Sequence, residues 1–283
     1  MLVFDKKAEL TEYLTQQRQT GKLIGFVPTM GALHQGHLSL IEASLSQTDL
    51  TVCSIFVNPT QFNNPQDLEK YPRTLEKDRE LLEKAGCQVL FCPGQQEMYP
   101  NVSYTNFSFG LLETVMEGYF RPGHFHGVGL VVSKLFHIVQ PNLAFFGQKD
   151  LQQCRIIEQL AKDLFFNVSV VVVPTMREAD GLAMSSRNVR LQPGERKEAA
   201  ILYKVLQESA NRLLAGEGVQ EIKKAAERTL TNTTTGVRLE YFCIADGGTL
   251  QPVKDVQQHK QLALCVAGYV GEVRLIDNLL LEL

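Results

Sequence analysis

The sequence has few of the features that mark membrane, secreted or nucleic-acid-binding proteins. It contains no apolar run near the ~18 residues that a membrane-spanning helix needs. The first twenty residues are charged and hold no long apolar stretch, which predicts that they are not a signal peptide. The formal net charge is −3, so the chain lacks the overall positive field that attracts nucleic acid or anionic lipid. We therefore expect no nucleic-acid partner and no membrane partner.

Cysteine is also sparse and dispersed. The six cysteines are scattered along the chain, and the one close pair, Cys87 and Cys92, has no second pair at zinc-binding spacing. This pattern favours reduced thiols in or near a core over a disulfide framework or a zinc site. It predicts a cytoplasmic location.

What the chain does contain is an alternation of short apolar runs and helical patterns. The predicted strands of the first part are KLIGFVP, LTVCSIFV, CQVLFCP, LAFFG and VSVVVVP, and helical patterns separate them. Strands that are wholly apolar and separated by helices indicate a parallel sheet covered on both faces. The sequence therefore predicts an α/β fold with a Rossmann-like parallel sheet in an N-terminal domain, residues 1–175.

The pattern changes after Pro174. A long polar connection, TMREADGLAMSSRNVRLQPGE, is followed by two helical stretches at about 194–215 and 219–231 and by a linker, TNTTTG. Three further stretches, RLEYFCIAD, LALCVAGYV and EVRLID, are typical of antiparallel strands. We therefore predict a smaller α+β domain over residues 176–283.

Two of only six histidines, His34 and His37, lie three residues apart at the junction of the first predicted strand and helix. Side chains at this spacing lie on one face of a helix start, where free backbone amides and the helix dipole favour an anion. Gly31 and Gly36 allow the backbone to approach a ligand closely. The pattern predicts a site for phosphate, although a structural role for either histidine stays open.

The string HQGH resembles the signature of the nucleotidyltransferase superfamily, which includes class I aminoacyl-tRNA synthetases. The longer string PTMGALHQGHLSL resembles the pantothenate synthetase (pantoate–β-alanine ligase) family. Further segments resemble that family in the same order: SIFVNPTQF, YPRT, RPGHFHGV, FFGQKDLQQ, PTMRE and DGLAMSSRN. The resemblance covers nearly all of residues 23–190 and is weaker beyond them.

The resemblance implies an ATP-dependent condensation of pantoate with β-alanine through a pantoyl adenylate, with release of AMP and pyrophosphate. It implies Mg²⁺ as the companion of ATP, a homodimer, and a second domain that closes over ATP about a hinge near residue 176. Two anions must approach each other in such a reaction, so cationic and polar groups have to offset their repulsion. The residues expected to do this catalytic work are His34, His37, Lys149 and Arg187.

The family motifs also assign binding residues. Those expected to bind ATP are Met30, Gly31, Ala32, Leu33, His34, Gln35, Gly36, His37, Gly147, Gln148, Lys149, Asp150, Met176, Met184, Ser185, Ser186 and Arg187. Those expected to bind the acid substrate are Pro28, Thr29, Met30, Asn58, Gln61 and Gln153. Asp78 is the candidate ligand for magnesium.

Several of these motifs have simpler interpretations. DGLAMSSRN alone is typical of a solvated turn, Asp150 of a helix N-cap, and the Asn-Pro pair of VNPTQF of a turn. RPGHFHGV offers two histidines without a third metal ligand, and we expect it to form a loop near the pantoate pocket without a catalytic role. Asp78 has Lys77 beside it where the family often has a second acid, which favours a surface helix residue.

Other functions are compatible with an HxGH motif. The nearest is an adenylyltransferase that moves AMP onto a phosphorylated acceptor, which would need a basic pocket for a second phosphate. A tRNA synthetase is disfavoured because the chain is short and acidic overall. A nucleotide sensor without chemistry is disfavoured because both histidines, Lys149 and Arg187 are present.

Overall fold

The computed structural model describes residues 1–232 and 236–283, so the predicted linker at residues 231–236 lies partly outside the described residues. The chain divides into two compact units. The first comprises Met1–Phe109, Arg121–Gln148 and Gln153–Pro174, and the second comprises Gly110–Phe120, Lys149–Gln152 and Thr175–Leu283. None of the helices in the described parts of the chain is long and apolar enough to cross a bilayer.

Six strands of the first unit form one parallel sheet in the order β1-β4-β3-β2-β5-β6. Their bounds are Leu2–Phe4 for β1, Ile24–Thr29 for β2, Leu50–Ile55 for β3, Val89–Phe91 for β4, Leu143–Gly147 for β5 and Ser169–Val173 for β6. Nearly every residue of β2 and β3 is buried, as expected for strands covered on both faces. The predicted α/β class is confirmed, while β1 was not predicted.

The α-helices connect these strands and continue into the second unit, and short 3-10 helices lie at Pro59–Gln61, Gly110–Glu113, Gln148–Asp150 and Asn188–Arg190. Within the described residues the α-helices are α1 Lys7–Gln19, α2 Gln35–Leu45, α3 Pro65–Glu69, α4 Leu75–Lys84, α5 Gln95–Met98, α6 Met116–Phe120, α7 His124–Val139, α8 Leu151–Asp163, α9 Pro193–Glu198, α10 Ile201–Leu214 and α11 Val219–Leu230. Leu40 and Ile41 of α2 and Leu82 of α4 pack with Val27 and Phe145 of the sheet in one buried cluster.

The strand order fixes where a ligand binds. In the sheet, β3 and β4 lie on one side of β2, whereas β5 and β6 lie on its other side. The carboxyl ends of β2 and β5 therefore flank a topological switch point, where open α/β sheets bind their ligands. Residues 30–37 follow the end of β2, and Gly147 is the last residue of β5.

The second unit is built on an antiparallel sheet of β7 Val237–Asp246, β8 Gln261–Val270 and β9 Val273–Glu282. Helices α10 and α11 cover it with a continuous apolar cluster. The predicted smaller α+β part is confirmed. The sequence did not indicate that residues 110–120 and 149–152 belong to this unit. The first of these segments is held there by Glu117, which pairs with Arg274 of β9 at 2.8 Å.

Candidate functional site

The turn that follows β2 has an unusual backbone and a buried support. Gly31 and Ala32 both have positive φ angles, 81° and 51°, of which the second is uncommon for a residue other than glycine. The carboxylate of Asp78 accepts hydrogen bonds from the backbone amides of Ala32 at 2.9 Å and Leu33 at 2.8 Å. Asp78 is only 1% exposed. The prediction of a surface helix residue at this position is therefore wrong.

His34 and His37 form the N-terminus of α2. The Nδ1 atom of His34 accepts from the amide of Gly36 at 3.1 Å, and Nδ1 of His37 accepts from the amide of His34 at 3.3 Å. The two side chains thus form a capping box, with ring centroids 4.1 Å apart. Because Nδ1 accepts in each ring, a neutral ring carries its proton on Nε2. The first turn of α2 itself contains no acidic residue.

A second polar cluster lies after β3. Asn58, which is 1% exposed, donates from Nδ2 to Oε1 of Gln61 at 3.1 Å and accepts at Oδ1 from the hydroxyl of Tyr99 at 2.8 Å. Gln61 in turn donates to the sulfur of Met30 at 3.2 Å. Burial raises the pKa of Tyr99, which keeps its phenol protonated as the donor to Asn58. The cluster presents uncharged polar groups beside the turn that precedes α2.

The motif RPGHFHGV contacts this cluster through the backbone carbonyl oxygen of Gln61. His124 donates from Nδ1 to the carbonyl oxygen of Gln61 at 2.8 Å, and Arg121 donates to the same oxygen at 3.2 Å. Gly127 is required here, since a Cβ at this position would lie 2.2 Å from the carbonyl oxygen of Thr60. The motif was expected to form a loop, but His124 begins helix α7, so that expectation is wrong.

In the second unit, residues 176–184 form a small hairpin. Arg177 and Ala183 are bridged as antiparallel partners, and the amide of Met184 donates to the carbonyl oxygen of Met176 at 3.0 Å. Gly181 turns the hairpin with a φ of +93°, and a Cβ there would lie 2.4 Å from the ring of Tyr203. The segment that sequence analysis treated as a polar connection is therefore an ordered element, which places Met176 beside Met184.

The residues after the hairpin form a tight turn. Ser185 accepts at Oγ from the amide of Arg187 at 3.3 Å, and its carbonyl oxygen accepts from the amide of Asn188 at 2.9 Å. Within the described residues, Oδ1 of Asn188 and Oγ1 of Thr175 are buried without a hydrogen-bond partner. Buried polar atoms are normally satisfied, so two such atoms beside this hairpin indicate groups that a ligand or water would engage.

Lys149 belongs to the same unit as this hairpin. Its ammonium group lies 3.5 Å from Oδ1 of Asp150, and its side chain is largely shielded from solvent whereas that of Asp150 is half exposed. The predicted site residues that lie in the second unit are Lys149, Asp150, Met176, Met184, Ser185, Ser186 and Arg187. The remaining predicted site residues lie in the first unit: Pro28, Thr29, Met30, Gly31, Ala32, Leu33, His34, Gln35, Gly36, His37, Asn58, Gln61, Asp78, Gly147, Gln148 and Gln153.

Both carboxylate oxygens of Asp78 accept hydrogen bonds within the first unit. Its Oδ1 accepts from Leu33 and from the hydroxyl of Thr74 at 3.1 Å, and its Oδ2 accepts from Ala32. Two of the three donors are backbone amides of the turn after β2, which favours a structural role for this carboxylate. The described parts of the chain contain no group of three or more histidine, cysteine, aspartate or glutamate side chains that could hold a metal ion.

Sequence reasoning missed two residues of this site. Tyr99 and Arg121 contact Asn58 and Gln61 respectively, although 41 and 60 positions separate each pair in the chain. Tyr99 lies in a Met-Tyr-Pro stretch without any local signal of a site. Arg121 was visible in the RPGHFHGV motif, but its partner was not.

The chain matches the family described as pantoate-beta-alanine ligase over residues 2–280. It is 47% identical to pantothenate synthetase of Bacteroides thetaiotaomicron over 99% of this chain and 98% of that protein. Pantothenate synthetase of Thermus thermophilus has a similar structure, with a TM-score of 0.92, 44% identity and 99% coverage of both chains. The structure of pantoate-beta-alanine ligase from Francisella tularensis, complexed with beta-gamma ATP and beta-alanine, matches with a TM-score of 0.82 and 37% identity over 99% of this chain and 97% of that one.

Proposed function

This chain belongs to the pantoate-beta-alanine ligase family, and we propose that it joins pantoate to β-alanine with consumption of ATP. In the first step a carboxylate oxygen of pantoate attacks the α-phosphorus of ATP. An acyl–phosphate bond forms, the bond to the bridging oxygen breaks, and pyrophosphate leaves. In the second step the neutral β-alanine amine attacks the acyl carbonyl and loses a proton to solvent. The amide bond forms, the acyl carbon–oxygen bond breaks, and AMP leaves with the former carboxylate oxygen.

The observation that supports this proposal most directly is the pair of imidazoles at the start of α2. In neutral His34 and His37 the Nδ1 atoms accept hydrogen bonds from the helix start, so the Nε2–H groups are the donors. They lie at the positive end of a helix, next to the switch point of a parallel sheet. Donors held in this way stabilise negative charge that grows on a phosphate without having to reorganise.

The acid substrate is assigned to the cluster after β3. Asn58 and Gln61 are uncharged, buried and hydrogen-bonded to each other. Such groups orient the hydroxyls of a small hydroxy acid without adding a cation that would hold the carboxylate too tightly. Pro28, Thr29, Met30 and Gln153 complete the proposed set.

The family motifs imply further ATP contacts. Lys149 and Arg187 are assigned to the phosphates, as fixed positive charges that offset the repulsion between pantoate and ATP. Ser185 and Ser186 add hydroxyl donors, and the Met176 segment is assigned to adenine through main-chain groups. The unpaired oxygens of Thr175 and Asn188 lie in the same stretch and favour a ligand there.

Mg²⁺ is proposed only as the companion of ATP, held by phosphate oxygens and water. The hydrogen bonds of Asp78 favour support of the turn after β2 over the predicted role of magnesium ligand. The proposal also includes a homodimer and a cytoplasmic location, which rest on the family resemblance and on the dispersed cysteines.

Isotope exchange between pyrophosphate and ATP tests the proposed function. Exchange that requires pantoate, and proceeds without β-alanine, is the expected result, with AMP and pantothenate formed once β-alanine is added. Exchange that requires a phosphorylated acceptor instead of pantoate would identify an adenylyltransferase that moves AMP onto a phosphate group. Nucleotide binding without any exchange would identify a sensor.

A further inference from the structure

The last strand of the chain carries two adjacent buried polar residues, Asp277 and Asn278, each only 3% exposed. They lie in the middle of β9, where their β8 partners are Val266 and Cys265. A buried carboxylate and a buried amide are costly unless they are paired. Their hydrogen bonds to Arg177 and Lys149 are therefore informative, and both of these residues lie in the second unit.

Asp277 holds the hairpin of residues 176–184. Its two oxygens accept from the two terminal nitrogens of Arg177, at 2.6 and 3.0 Å, in a bidentate pair. The same guanidinium donates to the carbonyl oxygen of Gly181 at 3.0 Å and stacks over the ring of Tyr203 at 3.7 Å. Arg177 is thus fixed on several sides, which sets the position of the hairpin and of Met176 next to it.

Asn278 holds the second segment, Lys149–Gln152. Its Nδ2 donates to the carbonyl oxygen of Lys149 at 2.8 Å, across 129 positions of sequence. Its own backbone amide donates to Oδ1 of Asp277 at 2.7 Å, and its carbonyl oxygen accepts from Arg177 at 3.1 Å. The two neighbours on β9 therefore form one network that reaches Lys149 on one side and Arg177 on the other.

We propose that Asp277 and Asn278 are positioning residues for the nucleotide step, because they fix the backbone of Lys149 relative to the hairpin that carries Met176 and Met184. This inference rests on the proposed function of those residues. Neither β9 residue is assigned a contact with ATP. They act through Lys149, which is proposed to contact phosphate, and through Arg177, which positions the hairpin proposed to contact adenine. The relative placement of these two segments decides whether ATP can make both contacts at once.

Electrostatics support the link between the two segments. Burial raises the pKa of Asp277, and it outweighs the lowering effects of the hydrogen bond and charge of Arg177, the amide of Asn278 and the more distant charge of Lys149. The carboxylate therefore interacts with cations from both held segments. Removing it would leave the partly buried guanidinium of Arg177 without its ionic partner, which costs more than the pair itself contributes.

The decisive variants are Asn278→Ala and the shape-matched Asn278→Asp, which lacks the donor to Lys149. For each we expect KM for ATP to rise about tenfold, because small displacements of a positioned group have large effects on substrate contacts. KM for pantoate should change less than twofold. Asn278→Asp should be no better than Asn278→Ala, since the donor and not the volume is lost.

Gln251→Ala is the matched control. Gln251 also donates a side-chain amide proton to a distant backbone carbonyl of this unit, that of Leu111 at 2.9 Å, but it touches neither held segment. Its KM for ATP should stay at the wild-type value. If Asn278→Ala and Asn278→Asp match this control, the positioning role is excluded.

Binding of a non-hydrolysable ATP analogue, measured by calorimetry, separates this inference from the proposed function. Wild type that binds the analogue but makes no pantothenate would reject the proposed function, whereas unchanged affinity in the Asn278 variants would reject the positioning role. Arg177→Lys keeps the charge and loses the bidentate geometry, so it should also weaken analogue binding. If the Asn278 variants do not fold, Arg177→Lys tests the positioning role in their place. Wild-type affinity of Arg177→Lys for the analogue would then overturn the inference.

Discussion

The carboxylate of Asp78 accepts a hydrogen bond from the backbone amide of Leu33 at 2.8 Å, although 45 residues separate the two in the chain. This contact joins α4 to the turn that leads into the histidine pair. The turn contains Ala32 in a left-handed conformation, which costs of order 1 kcal/mol and persists only where the surroundings impose it. Asp78 is the residue that imposes it.

Asp78→Ala should therefore reduce both stability and activity. Loss of a buried charged acceptor that serves two backbone amides is expected to lower the free energy of unfolding by about 3 kcal/mol. Release of the turn should lower the rate of pantoate-dependent pyrophosphate–ATP exchange at least about tenfold. Chemical denaturation and the exchange assay measure the two effects.

The magnesium dependence of Asp78→Ala distinguishes support of the turn from metal binding. At fixed ATP, the Mg²⁺ concentration for half-maximal exchange should equal that of wild type. Glu76→Ala is the control, since Glu76 lies on the same helix, is exposed, and pairs with Arg79 at 3.7 Å. A requirement for much more Mg²⁺ in Asp78→Ala alone would restore the metal assignment.

The parallel sheet was predictable because its strands are short apolar runs separated by helical patterns. β2, β3 and β5 are buried on both faces, and this leaves a signal within each run. β1 has only three residues, with two of them exposed, and carries no such signal. The order of the strands, and with it the position of the switch point, was not predicted, because no local feature of the sequence encodes it.

The site was predictable where a motif is contiguous and unpredictable where the partner is distant. His34 and His37 are visible as a pair in the sequence, but their role as a capping box depends on Nδ1 geometry. Asp78 lies in LEKDRELL, a pattern typical of an exposed helix face. Its burial follows from packing against residues 31–33, which sequence periodicity does not encode.

His37→Ala should lower the rate of adenylation at least tenfold, equivalent to about 1.4 kcal/mol of barrier. This substitution also removes the acceptor for the amide of His34, so it should cost about 1 kcal/mol of stability as well. Pyrophosphate release during a single turnover measures the first effect, and thermal unfolding measures the second.

His37→Gln separates these two roles. Glutamine at the third helical position can still reach back to the N-cap amide, as in other capping boxes, but it lacks an imidazole. We expect stability near that of wild type with adenylation as slow as in His37→Ala. Recovery of the rate in His37→Gln would reduce the role of His37 to capping.

Loss of the hydrogen bond from His124 to the carbonyl oxygen of Gln61 should weaken binding of pantoate and not of ATP. Arg121 donates to Nε2 of His124 at 3.3 Å, so Nε2 accepts and the Nδ1 proton is directed at the carbonyl oxygen of Gln61. His124→Ala removes that donor and should raise KM for pantoate about tenfold, with KM for ATP within twofold of wild type. Steady-state kinetics with each substrate varied in turn measures both constants.

His137→Ala provides the comparison for His124→Ala. His137 lies on the same helix but is exposed and contacts the ring of Phe166, with 5.0 Å between ring centroids. Its substitution should leave both Michaelis constants unchanged. Equal increases of KM for pantoate and for ATP in His124→Ala would indicate a general loss of structure and would contradict a selective role of His124 in pantoate binding.

Asp246 should make stability depend on pH in the acid range. Hydrogen bonds from the backbone amide and hydroxyl of Thr249, and from His259 and Gly248, outweigh the effect of partial burial and lower the pKa of Asp246 to about 2. A carboxyl group whose pKa is lower in the folded state stabilises the fold above its ordinary value of 3.8, and this contribution is lost as the pH falls through about 2.

Asp246→Asn should therefore lower the free energy of unfolding by about 2 kcal/mol at neutral pH. The difference from wild type should stay constant down to about pH 5 and shrink between about pH 4 and pH 2, because both proteins then carry a neutral side chain at this position. Denaturant unfolding at a series of pH values gives this difference directly. Asp255→Asn is the control, since Asp255 is exposed and accepts a backbone hydrogen bond from Gln257 at 3.2 Å. A difference for Asp246→Asn that did not change with pH would show that its hydrogen bonds stabilise the turn without favouring the charged form.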